Sequence, residues 1–232
     1  MSAPLRVGVI GLGARCVIAE NCHKATIPAE LVGGCDPNPA MRQRATEVLG
    51  DYPWFETLDE LLELGIDCAI VTSPDDTHED ITCSLLEAGV AVYLEKPIAI
   101  TIEGSDRVLE TAYRTKTPLY VGHNMRHMAV VRILRQVVQD GLIGEVRAIW
   151  CRHFVGNGGD YYFKDWHADR SRTTGLLLQK AAHDIDVMNW LSDSVPERVV
   201  GMGDLMLYGK LTDRGGQKSD AVMSDWFSFA NW

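Results

Sequence analysis

Residues Leu5–Gly11 read LRVGVIG, a short apolar run that leads straight into Gly11-Leu12-Gly13-Ala14-Arg15-Cys16 and a helix-compatible stretch, Ala14–Lys24. An apolar run of this length suits a strand buried on both faces of a parallel sheet. Glycines that follow such a strand and open a helix are the context in which a Gly-x-Gly turn becomes informative. Gly11 permits the tight turn. Gly13 lets the backbone approach a pyrophosphate, whose negative charge rests against the helix N-terminus. The third position of the fingerprint is Cys16 rather than glycine. Its job is close helix–strand packing, which a small thiol can fill. Asp36 closes a second strand, Ala29–Asp36, 25 residues after Gly11. A carboxylate there accepts hydrogen bonds from both ribose hydroxyls of an adenosine and repels a 2′-phosphate. No arginine or lysine adjoins it, Arg42 and Arg44 lying further on, so NAD is expected over NADP. The plainer alternative for Asp36 is a turn aspartate before Pro37.

The alternation continues. Helical patterns over Pro39–Leu49, Leu58–Leu64, Thr77–Ala88 and Thr101–Lys116 separate apolar runs at Cys68–Ser73, Ala91–Glu95 and Pro118–Gly122. Strands and helices in turn, with short connections, predict a doubly wound parallel sheet over residues 1–122. After that the pattern changes. A helix is expected over Val130–Asp140, a strand over Gly144–Val155, a loop over Gly156–Arg172 and one helix over Leu176–Leu191. Pro196–Tyr208 is partly strand-like. Residues 123–232 are therefore expected to form an α+β domain with a mainly antiparallel open sheet. The polar stretch after Tyr208 and the WFSFANW ending suggest that this domain is partial, which would leave an exposed sheet edge.

Composition removes several classes of function. Lys and Arg number 22 against 32 Asp and Glu, a formal charge of −10, and no basic cluster appears. Nucleic-acid binding, which needs phosphate-neutralising charge, is not expected. No apolar run approaches the length of a membrane span, and the stretch MSAPLRVGVIGLG has no basic segment leading into an apolar run and cleavage site, so no secretory signal is expected. None of the six cysteines forms a C-x-x-C pair, so reduced thiols in a cytoplasmic protein are expected, with no metal site.

Lys96 ends the Ala91–Glu95 strand in the fragment VYLEKPIA. Open parallel sheets bind ligands at the carboxyl ends of their strands, so Lys96 is placed to reach a cofactor crevice. A lone lysine at a strand end is usually a surface residue. Pro97 shifts that balance, because an X-Pro bond here can be cis and fix a sharp turn.

GLGARC, CDPNP, VTSPDDTHED, YLEKPIA and VGHNMR occur in this order from Gly11 to Arg126, within a resemblance that covers roughly Leu5 to Leu191. In order and spacing the chain resembles the Gfo/Idh/MocA oxidoreductases, relatives of glucose–fructose oxidoreductase and inositol dehydrogenase. The resemblance implies a Rossmann domain followed by an α+β domain whose sheet often forms a dimer interface, hence a homo-oligomer, dimer or tetramer. It implies cofactor contacts from Gly11, Gly13, Ala14, Arg15, Asp36, Thr72, Ser73, Pro74, His78, Glu95, Lys96, Pro97 and Asn124. It implies that Lys96 positions and polarises the substrate hydroxyl, and that Arg126 lines the site where the domains meet. Cys151 and His153 are weaker candidates there.

The segment Gly175–Asp184 matches the family's second catalytic element, with His183 as its acid/base histidine. Such a histidine takes the hydroxyl proton as hydride leaves. The family's usual carboxylate four residues earlier is Gln179 here, followed by Lys180. On one helix, 179 and 183 share a face. Gln179 can orient a hydroxyl but cannot raise the basicity of His183 by charge. The alternative for His183 is a structural histidine satisfied by Asp184 or Asp186. Tyr161, Trp166 and His167, in the preceding loop, are candidates to stack on a sugar-like substrate, or else simply pack on one another.

The implied function is NAD-dependent hydride transfer between nicotinamide and a hydroxyl or carbonyl of a sugar, polyol or related compound. Two rivals stay open. One is a glycoside hydrolase or epimerase that oxidises its substrate transiently with a retained NAD. The other is a non-catalytic NAD- and sugar-binding regulator of the same fold.

Overall fold

Period-two alternation in the first strand decides how the sheet is covered. In the computed structural model, strand β1 (Leu5–Ile10) turns Val7 and Val9 to one face and Gly8 and Ile10 to the other. The structure describes residues 3–24, 26–154, 162–163 and 165–204. The chain divides into two units, Met1–Gly122 and His123–Trp232.

In the first unit β1 is joined by β2 (Ala29–Cys35), β3 (Trp54–Phe55), β4 (Cys68–Val71), β5 (Ala91–Glu95) and β6 (Leu119–Gly122). The order across the sheet is β3-β2-β1-β4-β5-β6, and every pairing is parallel. This is the Rossmann order, whose direction of winding reverses between β1 and β4. Only β3, two residues long, was not expected from sequence.

Each face carries its own core. On one, Val7, Val9 and Ile70 pack with Cys16 and Ala19 of the Ala14–Lys24 helix and Ala45 of α1 (Pro39–Leu49). On the other, Ile10, Ala69, Val71, Val92 and Leu94 meet Leu61 of α2 (Leu58–Glu63) and Leu85 and Leu86 of α3 (His78–Glu87). Gly8 leaves room for that second core: a Cβ there would lie 2.9 Å from Ile66 Cδ1. Helix α4 (Ile102–Thr115), begun by a Thr101 side-chain cap, leads into β6. The Ala14–Lys24 segment winds as a 3₁₀ helix rather than an α-helix. Its Cys16-Val17-Ile18 and Asn21-Cys22-His23 stretches are poor α-helix formers.

In the second unit α5 (Ala129–Gln139) and α8 (Ala182–Ser192) are tied by Arg135, which donates to Trp190 O and Asp193 Oδ1. Between them lie α6 (Arg170–Thr173) and α7 (Leu176–Gln179). Two expectations are corrected. Residues 146–154 carry no strand. Their alternating pattern supplies one side of a ladder, and no described segment supplies the other. The helix expected over Leu176–Leu191 is two helices, broken at Lys180, whose φ is −114°. The other strand-like region, Pro196–Tyr208, has no regular structure as far as residue 204 and otherwise lies outside the described residues.

Candidate functional site

The first unit's candidates converge on the carboxyl ends of β1, β4 and β5. Gly11 turns with φ +83°, and a Cβ on it would collide with the Ser73 backbone. The glycine loop is thereby pressed against the loop after β4. Thr72 Oγ1 reinforces this, donating to Gly11 O at 2.7 Å. Gly13 is the opposite case: a Cβ there would meet nothing within 4 Å. The space that a missing side chain leaves over the helix N-terminus is where a phosphate group fits.

At the end of β2, Asp36 accepts from Leu12 N (2.9 Å) and Asn38 N (2.8 Å). Both bonds fix the carboxylate beside the glycine loop. Two arginines of α1 also arrive. Arg44 Nη1 donates to Gly13 O at 2.8 Å and lies 3.5 Å from Cys16 Sγ. Arg42 Nη1 donates to Asp36 O at 2.6 Å. Sequence reading found no arginine adjacent to Asp36, with Arg42 and Arg44 further on; the fold brings Arg42 back to the Asp36 backbone.

His78 is 1% exposed, and its ring fills the gap between two backbone oxygens. Nδ1 lies 2.7 Å from Pro97 O and Nε2 lies 3.0 Å from Ser73 O. It joins the loops after β4 and β5, so its polar atoms face backbone rather than a ligand. Pro97 follows Lys96 through a cis peptide bond. Glu95 is buried. Its Oε1 accepts from Arg15 Nε at 3.1 Å and from Nη2, while Oε2 accepts from Lys96 N at 3.2 Å. The contacts thus form a circuit: glycine loop, Thr72–Ser73, His78, Pro97–Lys96, Glu95, Arg15 and back to the glycine loop. Ser73 is buried and Pro74 begins the turn into Asp75–Thr77; Ala14 is exposed. Sequence reading named most of these residues but not their joins.

The second unit holds the remaining candidates. Gln179 and His183 are both buried, at 2% and 6% exposure, and stand on α7 and α8 rather than on one helix face. The His183 ring meets the His123 ring edge-on at 6.1 Å between centres. Asp186 receives Arg126 through Nε (2.7 Å) and Nη2 (2.5 Å), with His123 Nδ1 at 3.8 Å. Asp184 instead faces His153, whose Nδ1 lies 2.9 Å from each carboxylate oxygen. Arg126 is therefore a clamped cation lying 5.4 Å from the centre of the Trp190 ring. His123 was missed by sequence reading. Its place directly after β6 was the available signal.

Asn124 opens a 3₁₀ turn, Asn124–His127. Lys180 marks the break between α7 and α8. Trp166 and His167 stack with ring centres 3.7 Å apart, and Thr173 Oγ1 donates to His167 O at 3.3 Å. Tyr161 lies outside the described residues. Among the described residues no three His, Cys, Asp or Glu gather as a metal ion would require, and no helix is long and apolar enough to cross a membrane.

Comparison with known proteins decides the lineage. Residues 5–123 match the model of an oxidoreductase family with an NAD-binding Rossmann fold, GFO/IDH/MocA. The chain belongs to the GFO/IDH/MocA family. Residues 131–224 match that family's C-terminal domain. Among GFO/IDH/MocA relatives, YteT of Bacillus subtilis is 30% identical over 187 residues, covering 78% of this chain and 44% of its own. Inositol 2-dehydrogenase of Rhizobium meliloti is 27% identical over 223 residues, covering 94% and 64%. The crystal structure of scyllo-inositol dehydrogenase from Lactobacillus casei, with bound NAD(H) and scyllo-inositol, superposes with a TM-score of 0.73 at 27% identity, covering 82% and 57%. The chain spans about half the length of the relatives it matches.

An NAD-type dinucleotide suits the residues present. Open space over Gly13, a carboxylate fixed at the end of β2 and a helix N-terminus at Ala14 are the three features such a cofactor needs.

Proposed function

We propose that this protein is an NAD-dependent oxidoreductase acting on a hydroxyl or carbonyl of a sugar, polyol or related small molecule. The observation that carries the reading is the first unit's switch point. The open position at Gly13, the anchored Asp36 and the Lys96–Pro97 turn stand at the carboxyl ends of one parallel sheet. Gly11, Gly13, Ala14 and Arg15 would hold the pyrophosphate and Asp36 the adenosine ribose. Thr72, Ser73, Pro74 and Pro97 would shape the nicotinamide end, and Asn124, in the second unit, is a further cofactor-contact candidate. His78 and Glu95 act there through the backbone they hold. When bound, NAD supplies the hydride chemistry.

The chain's own residues handle orientation and protons. The Lys96 ammonium donates to the substrate oxygen and stabilises negative charge as the hydroxyl is deprotonated. In the second unit His183 is the acid/base candidate, and the neutral Gln179 amide can orient a hydroxyl where a charged carboxylate would otherwise stand. Lys180, Arg126, Trp166 and His167, with Tyr161, are the substrate-binding candidates. NAD is preferred to NADP because the Asp36 carboxylate repels a 2′-phosphate. A homo-oligomer is supported by apolar side chains at the surface of the second unit, among them Ile133, Trp150 and Val200. A clean monomer in light scattering would contradict it. The six free thiols suit a reducing, cytoplasmic setting.

The test is a screen of sugars and polyols with NAD, following nicotinamide reduction. Turnover should appear with at least one polyol. In Lys96→Ala it should drop by about a hundredfold or more, with little change in NADH affinity. Equal turnover in that variant would remove Lys96 from the chemistry.

A further inference from the structure

Glu95 presents a problem that its neighbours answer. Its side chain is 8% exposed, and a buried carboxylate needs a partner cation and full hydrogen bonding. The partner comes from 80 residues away. Arg15, in the glycine loop, reaches across from the end of β1 to the end of β5 and gives Glu95 Oε1 its Nε and Nη2 edge. The other carboxylate oxygen accepts the backbone N–H of Lys96. One carboxylate thus has one oxygen on the phosphate loop and the other on the backbone of the proposed hydroxyl-orienting lysine.

Arg15 itself is not enclosed. Its side chain is 51% exposed while Glu95 is covered. A guanidinium has five N–H donors in a rigid fork, and one edge on Glu95 leaves a second edge. Arginine forks are the side-chain donors best matched to phosphate oxygens. The pyrophosphate of the cofactor, if the proposed function is right, rests at the helix that starts with Ala14, one residue before Arg15.

We propose, resting on that reading, that Arg15 and Glu95 couple cofactor occupancy to the position of Lys96. Arg15 is a cofactor-binding residue that holds the pyrophosphate with one edge and Glu95 with the other. Glu95 is a positioning residue that passes the constraint to the Lys96 backbone. Cofactor binding then tightens a chain of contacts that is already formed, so the Lys96–Pro97 turn is held most firmly when the hydride acceptor or donor is present.

Two readouts test this on the full chain: NADH affinity by nicotinamide fluorescence, and hydrogen exchange of the Lys96 amide with and without saturating NADH. In the wild type NADH should bind and slow Lys96 exchange. Arg15→Gln should weaken NADH about tenfold and abolish the slowing at saturation. Glu95→Gln should bind NADH within about threefold of wild type yet lose the slowing, which is the signature of a relay and not of a contact. Because Arg15→Gln leaves a buried carboxylate uncompensated, the double variant Arg15→Gln/Glu95→Gln removes both charges and guards against simple unfolding. It should behave as Arg15→Gln does. Arg114→Gln, which breaks a surface pair with Glu87 elsewhere in the unit, controls for lost charge and should match the wild type. Retained slowing in Glu95→Gln, or unchanged NADH affinity in both Arg15 variants, would overturn the coupling while leaving the cofactor site standing. Absence of NADH binding in the wild type would overturn the cofactor reading and the coupling with it.

Discussion

Gly11 and Gly13 are two residues apart and do different work. Gly11 is needed by the protein: its φ of +83° and the Ser73 backbone exclude any side chain. Gly13 is needed by nothing in the protein, since a Cβ there meets open space. Gly11→Ala should therefore destabilise the first unit by more than about 2 kcal/mol in urea unfolding. Gly13→Ala should leave stability within about 0.5 kcal/mol and weaken NADH tenfold or more, because its methyl occupies the phosphate position. Equal effects on both properties in both variants would contradict this division. His78 belongs with Gly11. His78→Phe keeps the bulk but leaves the Pro97 and Ser73 carbonyls without their ring partner, and should cost about 2 kcal/mol. Glycine roles were legible in sequence because a turn is a local demand. The His78, Arg44 and Arg15 contacts were not, since each depends on which segments the fold brings together.

Elements that carry their own instructions formed as read. Helix α2 starts with a capping box, Thr57 accepting from Glu60 N while the Glu60 side chain accepts from Thr57 N. Thr57→Ala should lower stability by about 1 kcal/mol in thermal or urea unfolding, through a cap and not a core contact. Strands depend more on neighbours. Buried on β2, Cys35 has its thiol pushed from its ordinary 9.0 up to about 12 by burial, with Asp36 and Glu60 adding repulsion. A thiol that holds its proton more tightly folded than unfolded contributes stability fully below about pH 9, and that contribution is lost as pH rises toward about 12. Urea midpoints should fall over that range, and Cys35→Ala should flatten the fall. The strand expected over Gly144–Val155 shows the limit of pattern reading. Alternation states which side chains share a face, but the hydrogen-bonded partner is a non-local fact. The break at Lys180 is similar: Leu176–Gln179 and the residues after it are all helix-compatible, and burial of Gln179 and His183 rather than propensity accompanies the interruption.

At the scale of the molecule, a sheet of order β3-β2-β1-β4-β5-β6 places the first unit's functional loops at one edge of one layer. That much followed from strand–helix alternation and the spacing of Gly11 to Asp36, because winding rules leave few other topologies. Family membership adds an NAD-binding Rossmann fold, and on the proposed reading the carboxylate at the end of β2 is what would favour NAD. In that proposal Asp36 is the deciding group even with Arg42 at its backbone, since that guanidinium is also drawn to Glu56 at 3.8 Å. The most direct measurement is a fluorescence titration of the purified chain with NADH and with NADPH in parallel. NADH should bind at least about tenfold more tightly than NADPH. Binding of neither nucleotide, or tighter binding of NADPH, would contradict the assignment of this sheet edge as an NAD site.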